Sequence, residues 1–240
     1  MKHIFDIPII LCLLIAAMLF GSCSETDEYI PDEFEAAVMA TSPTVIVDYI
    51  LLESLSELMD TVKPNLIVRC KVASRGESYL KGANESLNSL LNQSAAALTD
   101  TELKRVQSAV ANSLSTPYTL ELEKIYLGAE NLDDTTELVF TVPYGAINGY
   151  ARAADKYPIL KVGAEYLMFL RVDFIGGEKE YYLAFRPASA LELRNDSFDG
   201  GDYADLIFAE FNGSTEALIS ELEELIANND YDISIEGTEA

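Results

Sequence analysis

The sequence predicts a mainly β fold of the α+β class, a β-barrel with an inserted helical hairpin and flanking helices. Three observations support this prediction. Apolar and polar residues alternate in most segments between residues 44 and 212, which is the period of half-buried strands. The alternation in 118–127 slips at Lys124, which indicates a β-bulge of the kind that helps to close a barrel. Between residues 83 and 115 the apolar period is instead helical.

The predicted strands differ in how clearly they alternate. Segment 44–51 is β-branched and apolar, whereas 66–73 alternates and has Cys70 in its inward-facing row. That position predicts a small buried thiol rather than a reactive cysteine. Two further runs are joined by Gly176 and Gly177 and predict a hairpin. The complete set of predicted strands is 44–51, 66–73, 118–127, 138–142, 165–174, 180–186 and 190–193.

Two capping-box sequences mark predicted helix starts. Ser54 with Glu57 opens a short helix, and Thr99 with Glu102 opens the second helix of the insertion at 83–115. A C-terminal helix is expected over 213–228, and the acidic tail 229–240 is expected to be disordered. The apolar segment 203–211 fits either a helix or a strand.

The first residues have the layout of a secretory signal peptide, predicted over 1–22. The apolar run 7–20 is shorter than the roughly 20 residues that a spanning helix needs. Phe20, Gly21, Ser22 and Cys23 resemble the lipobox of bacterial lipoproteins, although Phe20 stands where that family prefers leucine. The resemblance implies acylation of Cys23, which becomes the first mature residue. Ordinary cleavage and an uncleaved anchor are the alternatives.

The residues after Cys23, predicted as an acidic tether over 23–43, begin with a short stretch without apolar side chains, 24–28. Such a stretch cannot pack and is expected to be solvated. It resembles the acidic stretch that marks surface-exported lipoproteins of Bacteroidetes-type bacteria, and a plain linker explains it equally well. The protein is therefore expected at the outer membrane or cell surface of a Gram-negative cell, or at the cell membrane of a Gram-positive one.

The charge balance excludes one class of partner. The chain has 40 acidic and 16 basic residues, a net charge of −24. Loss of residues 1–22 removes one lysine and one aspartate, so this net charge stays the same. Such a surface repels phosphate backbones, which excludes nucleic-acid binding. It also repels anionic lipid headgroups, so the membrane is contacted through the acyl chains.

Histidine and cysteine usage excludes several catalytic chemistries. The only histidine, His3, and Cys12 both lie in the predicted signal peptide. Without them the mature chain cannot form a Ser-His-Asp triad, a Cys-His pair or a histidine-ligated metal site. With Cys23 acylated, Cys70 stands alone and no intrachain disulfide can form. No catalytic residue and no cofactor are assigned, and only carboxylate-based catalysis stays open.

Three strand segments carry a resemblance to a known family. They are NLIVRCKV at 65–72, YTLELEKIYLG at 118–128 and LKVGAEYLMFL at 160–170. They resemble the netrin-like module, an OB-like barrel shared by tissue inhibitors of metalloproteinases and by bacterial envelope proteins. Those inhibitors act through a free amino-terminal cysteine, whereas Cys23 is predicted to be acylated and Cys70 to point inward. The resemblance therefore implies the fold but not protease inhibition.

Two local features are candidate sites. The long segment 143–163 concentrates aromatic and basic residues, which are typical of interface anchors. Its candidate partner-binding residues are Tyr144, Tyr150, Arg152, Lys156 and Tyr157. An ordinary loop whose tyrosines pack on the barrel is the alternative.

The second feature, 195–200, begins like a calcium loop, with candidate ligands Asn195, Ser197 and Asp199 and a glycine at the sixth position. Leu206 stands at the twelfth position, where calcium loops have a bidentate glutamate. This departure favours a plain turn and no metal.

Together these features predict a non-catalytic, lipid-anchored binding or scaffolding module at the cell envelope, with an unidentified protein or glycan as partner. The alternative is a carboxylate-dependent enzyme or saccharide binder that acts on envelope or extracellular glycans. A calcium-stabilised module is a third possibility.

Overall fold

The computed structural model describes residues 30–43 and 45–235. The chain divides into two units, Met1–Asp32 and Glu33–Ala240, and every described helix and strand lies in the second unit. The predicted signal peptide, Cys23 and the first part of the predicted tether lie outside the described residues. None of the described helices is long and apolar enough to cross a membrane.

The framework of the fold is an antiparallel sheet, which confirms the α+β class. Its strands follow the order β10-β9-β7-β1-β3-β2, with β4 paired to β3 and β8 paired to β7. A separate hairpin is formed by β5 and β6. The strands are β1 (Leu66–Arg75), β2 (Tyr79–Leu80), β3 (Leu114–Leu127), β4 (Glu137–Val142), β5 (Gly145–Ile147), β6 (Tyr150–Arg152), β7 (Glu165–Ile175), β8 (Glu178–Leu183), β9 (Ala190–Arg194) and β10 (Ser197–Asp199).

The described strands do not close into the expected barrel. β4 pairs only with β3, and β8 pairs only with β7, so each has one edge without a strand partner. These two strands approach each other to within 8 Å between Cα atoms but form no ladder. The sheet therefore curls so that β4 and β8 are neighbours, and it stays open between these two strands.

Irregular pairing between β1 and β3 accounts for part of this curvature. Arg69 pairs with Lys124, but its neighbour Cys70 pairs with Leu122, so Glu123 is the extra residue of a bulge. The slip predicted at Lys124 is thus confirmed within one residue. Two further register shifts lie along the same pair of strands. Bulges bend the strand that carries them and increase its twist.

Strands β1 and β7 are buried on both faces, because a separate core packs on each side of the sheet. Val68, Cys70 and Met168 belong to the core enclosed by the curled sheet. Ile67 and Phe169 belong to the core on the other face. The second core is covered by α2 (Leu55–Val62), α5 (Asp202–Ile207) and α6 (Thr215–Asn228). The ambiguous segment 203–211 is therefore mostly helical.

The insertion consists of α3 (Glu85–Leu91), a short 3-10 turn (Ala95–Ala97) and α4 (Asp100–Ser113). The predicted capping box is present, since the Thr99 side chain accepts from the Glu102 backbone and Glu102 accepts from the Thr99 backbone. The insertion packs around a small core of its own, formed by Leu80, Leu91, Val106, Val110 and Leu114.

Two terminal segments differ from their predictions. The predicted tether contains α1 (Glu33–Met39), in which Glu35 and Val38 are buried. At the other end, the start of the predicted disordered tail is bound to the domain. The buried side chains of Asn65 and Asn131 donate hydrogen bonds to the backbone oxygens of Ser234 and Ile233.

The predicted strand 44–51 is a third difference. Residues 45–53 form neither helix nor strand, and Ile46, Ile50 and Leu51 are exposed. The Val47 backbone N–H donates to the carboxylate of Asp155, with 3.0 Å between nitrogen and oxygen. This segment lies beside the sheet and not in it.

Candidate functional site

The predicted partner-binding segment, 143–163, forms the hairpin β5–β6 and the loop that follows it. Two of its three tyrosines belong to the core. Tyr144 and Tyr157 are buried, with ring centroids 5.9 Å apart. The Tyr144 hydroxyl accepts a hydrogen bond from the Leu160 backbone N–H, and burial raises the pKa of Tyr144 well above its usual value. Tyr144 therefore supports the fold and cannot serve as a surface anchor.

The remaining predicted residues lie in three different environments. Tyr150, on β6, is half-buried against the core of the helical insertion. Lys156 is exposed, and its ammonium group lies 5.6 Å from the centre of the Tyr203 ring. Arg152, also on β6, is half-buried and lines a groove together with Tyr157. The structure thus brings together only Arg152 and Tyr157 of the five as possible ligand contacts.

The groove has a volume of about 670 Å³ and follows the open side of the sheet, where β4 and β8 line it. Its lining includes exposed apolar side chains, of which Tyr79, Val139 and Ile175 are each more than 40% exposed. Lys81 and Glu180 form an ion pair at its rim, with 2.5 Å between nitrogen and oxygen. The groove thus mixes apolar with charged side chains, as protein interfaces do.

A second arginine, Arg186, lies beside Arg152 in the groove. Both residues also line a smaller cavity of about 70 Å³. Burial lowers the pKa of Arg152, and the positive charge of Arg186 lowers it further. One Nη atom of Arg152 donates to the Leu114 carbonyl oxygen at 2.9 Å. Within the described part of the chain, neither arginine forms an ion pair with a carboxylate.

The hydroxyl group of Tyr157 is the third polar group at this place. It is buried and donates to no described residue, and the Leu183 backbone N–H lies close to its oxygen. Burial raises the pKa of Tyr157, while the Leu183 backbone and the Arg186 charge act in the opposite direction. Two cationic groups and a buried hydroxyl group with no acceptor among the described residues therefore line the groove of a strongly acidic protein.

Two of the three metal candidates, Ser197 and Asp199, have other partners. Asn195 adopts a left-handed conformation, with φ of 53°, in the turn between β9 and β10. The Ser197 hydroxyl donates to the Arg194 carbonyl oxygen at 3.0 Å. Asp199 forms an ion pair with Arg194 and accepts from the Gly201 backbone. Among the residues that the structure describes, no group of three or more acidic, cysteine or histidine side chains could hold a metal ion.

Cys70 lies where the alternation of its strand predicts. Its side chain is fully buried, and its sulfur lies 3.5 Å from the sulfur of Met168. Burial raises the pKa of the Cys70 thiol to about 12. A thiol with so high a pKa holds almost no thiolate at neutral pH and is not a nucleophile.

Comparison with known proteins finds no matching family model, no matching curated protein and no matching solved structure.

The sequence alone identified Arg152 and Tyr157 but missed Arg186 and the exposed apolar side chains of the groove. Arg186 ends a predicted strand and carries no local signal. Arg186 follows β8 and Arg152 ends β6, so the two arginines become neighbours only in the folded protein.

Proposed function

We propose that the protein is a lipid-anchored binding module of the bacterial cell envelope without a catalytic role, and that the groove beside β4 and β8 is its binding surface. The observation that carries the proposal is the composition of the groove. Exposed apolar side chains line the same groove as two arginines that have no carboxylate partner among the described residues. Aromatic and arginine side chains are the residues that most often dominate binding energy at interfaces.

The finer classification of the fold is part of this proposal. The bulged pairing of β1 with β3 and the approach of β4 to β8 support an OB-like or netrin-like module that is open on one side. Modules of the OB type bind ligands on the face of the barrel and through the loops beside it.

The anchor is tested by mass spectrometry of the full chain expressed in a bacterial host. We expect the mature protein to begin at Cys23 and to carry the mass of a diacylglycerol group and of any amino-terminal acyl chain. The variant Cys23→Ser should move from the membrane fraction to the soluble fraction, because single hydrophobic contacts cannot replace the acyl chains. An unmodified Cys23 in the membrane-bound protein would contradict the anchor.

The groove is tested by site-specific photo-crosslinking in intact cells. A photoreactive amino acid is introduced at Val139 or Ile175, which line the groove, and at Leu206 as an exposed apolar control on α5. We expect discrete higher-mass adducts from the two groove positions and none from the control. Equal labelling at all three positions, or no adduct from the groove, would count against the groove as the binding surface.

One observation supports the alternative of carboxylate-based action on glycans. Glu178 and Glu180 are two residues apart on β8, so their side chains leave the same face of the strand, and both line the groove. The alternative requires hydrolysis of envelope glycans by the purified chain and its loss in Glu178→Gln. Activity that survives this change, or no activity at all, leaves the binding role as the proposal.

A further inference from the structure

We propose that the guanidinium groups of Arg152 and Arg186, together with the hydroxyl group of Tyr157, bind a carboxylate group of an extended peptide in the groove. This inference rests on the proposed function and names the ligand class of the same site. It assigns a specific chemistry to a place where two arginines have no carboxylate partner among the described residues.

The arginine pair is unfavourable without an anion. Two like charges that are partly removed from water repel each other, and this repulsion is weakest when an anion lies between them. Arg152 and Arg186 border the same two cavities, and the charge of the exposed Arg186 acts on the half-buried Arg152. A carboxylate that contacts both guanidinium groups would offset the repulsion and form charge-assisted hydrogen bonds.

Enough donors are available for such a ligand. A guanidinium group has five N–H groups, and the hydrogen bond to the Leu114 carbonyl oxygen is the one that Arg152 makes with the described residues. This bond fixes the side chain and leaves the other N–H groups at the cavities. The Tyr157 hydroxyl adds a neutral donor that has no partner among the described residues and whose residue is only 9% exposed.

Two of the carboxylates that line these cavities have partners of their own, and none that the structure describes is ion-paired with Arg152 or Arg186. Asp155 also lines the small cavity, but its Oδ2 atom accepts from the Val47 backbone at 3.0 Å. Glu180 lines the groove and is paired with Lys81. The position between the two arginines is therefore not taken by an internal acid of the described residues.

The surroundings favour a singly charged peptide over other anions. The net charge of −24 repels ligands with many negative charges and tolerates one carboxylate on an otherwise uncharged chain. Val139 and Ile175 offer aliphatic contacts that suit apolar peptide side chains. One of the two edges without a described strand partner, that of β4 or that of β8, can form backbone hydrogen bonds with an extended peptide.

The test uses the mature chain from residue 23 with Cys23→Ser, which keeps it in solution. The probes are acetyl-Val-Tyr-Val with a free carboxylate and the same peptide with a terminal amide. Binding is followed by NMR through the arginine Nε–H signals. We expect the carboxylate peptide to bind about tenfold or more tightly than the amide, as a hydrogen bond between charged groups implies.

Three variants identify the groups responsible. Arg186→Gln removes an exposed charge and should abolish the difference between the two peptides. Tyr157→Phe should reduce the difference with little loss of stability, since its hydroxyl donates to no residue that the structure describes. Lys156→Gln is the matched control, because it removes one positive charge from the same segment outside the groove lining and should change nothing.

The outcomes separate the two proposals. Equal binding of the two peptides, retention of the difference in Arg186→Gln, or no shift of an arginine signal at about 50 mM peptide would overturn the carboxylate site. Binding of an oligogalacturonate in place of the peptide would overturn the peptide assignment. In each of these cases, crosslinks from Val139 and Ile175 would still support the groove as the binding surface. Their absence would overturn that proposal as well.

Discussion

Two segments of this chain look alike in sequence and have opposite positions in the fold. Residues 45–51 and the strand β1 are both rich in valine, isoleucine and leucine. β1 is the central strand, and Ile67 and Val68 within it are fully buried. The segment 45–51 pairs with no strand, and Ile46 is 79% exposed. A high β propensity is therefore not sufficient to place a segment in a sheet.

The two segments differ in their pattern of apolar residues and in their strand partners. β1 alternates, and its outward Arg69 forms ion pairs with Glu123 on β3 and Glu165 on β7. In 45–51 apolar residues follow one another without alternation, so neither face is suited to solvent. Both edges of β1 are occupied by β3 and β7. The segment 45–51 is held by Asp155 and by the ring of Tyr49 against Phe185.

The largest expected difference between the two segments comes from a buried charge. Val68→Asp places a carboxylate without a partner in the inner core and should cost more than about 4 kcal/mol, enough to unfold the domain. Ile46→Asp should change the free energy of unfolding by less than about 0.5 kcal/mol. Urea unfolding followed by circular dichroism measures both. A large loss in Ile46→Asp would show that the segment is packed.

The second prediction concerns the start of β1. The Asn65 side chain donates to the carbonyl oxygens of Val172 and Ser234 and accepts from the Val172 backbone N–H at 2.7 Å. Asn65→Ala leaves buried backbone groups without partners and should cost about 2 to 3 kcal/mol. Asn88→Ala, in an exposed position on α3, is the control for urea unfolding. Equal losses in the two variants would contradict the role of Asn65.

The third prediction uses the inward cysteine of β1. In the unfolded chain the thiol has a pKa near 9.0, and burial raises the pKa of Cys70 to about 12. Because the folded state keeps the proton, this stabilisation is fully present below pH 9 and is lost as the pH rises from about 9 to 12.

The loss should amount to about 1.4 kcal/mol for each pH unit in that range. The free energy of unfolding is measured against pH for the wild type and for Cys70→Ala. The difference between the two curves removes the contribution of the tyrosines. At pH 8 a thiol reagent should label wild-type Cys70 only after unfolding. Rapid labelling of the native protein would contradict the assignment.

A local effect with hardly any change in global stability is expected where the outer segment is attached. Asp155→Ala removes the acceptor of the Val47 backbone N–H. The free energy needed to open this segment locally should fall by about 1 kcal/mol. Chymotrypsin should then cleave faster near Tyr49, while the urea midpoint hardly moves, because the segment opens locally. Asp196→Ala, in an exposed turn, is the control. An unchanged cleavage rate would show that Asp155 does not hold the segment.

The sequence by itself determined the features that depend on neighbouring residues. The alternation of β1 identified Cys70 as inward, and the capping box at Thr99 located the start of α4. The slip near Lys124 identified a bulge. Each of these features depends on the period of a strand or on hydrogen bonds within one helical turn. Residues close together in the chain determine both.

Only the tertiary structure decided which β-prone segments found partners and which charges became neighbours. It excluded 45–51 from the sheet, left β4 and β8 unpaired with each other, and brought Arg186 beside Arg152. It also bound the tail at Ser234 to Asn65. These results depend on contacts between residues far apart in the chain, where packing and the competition for strand edges outweigh local propensity.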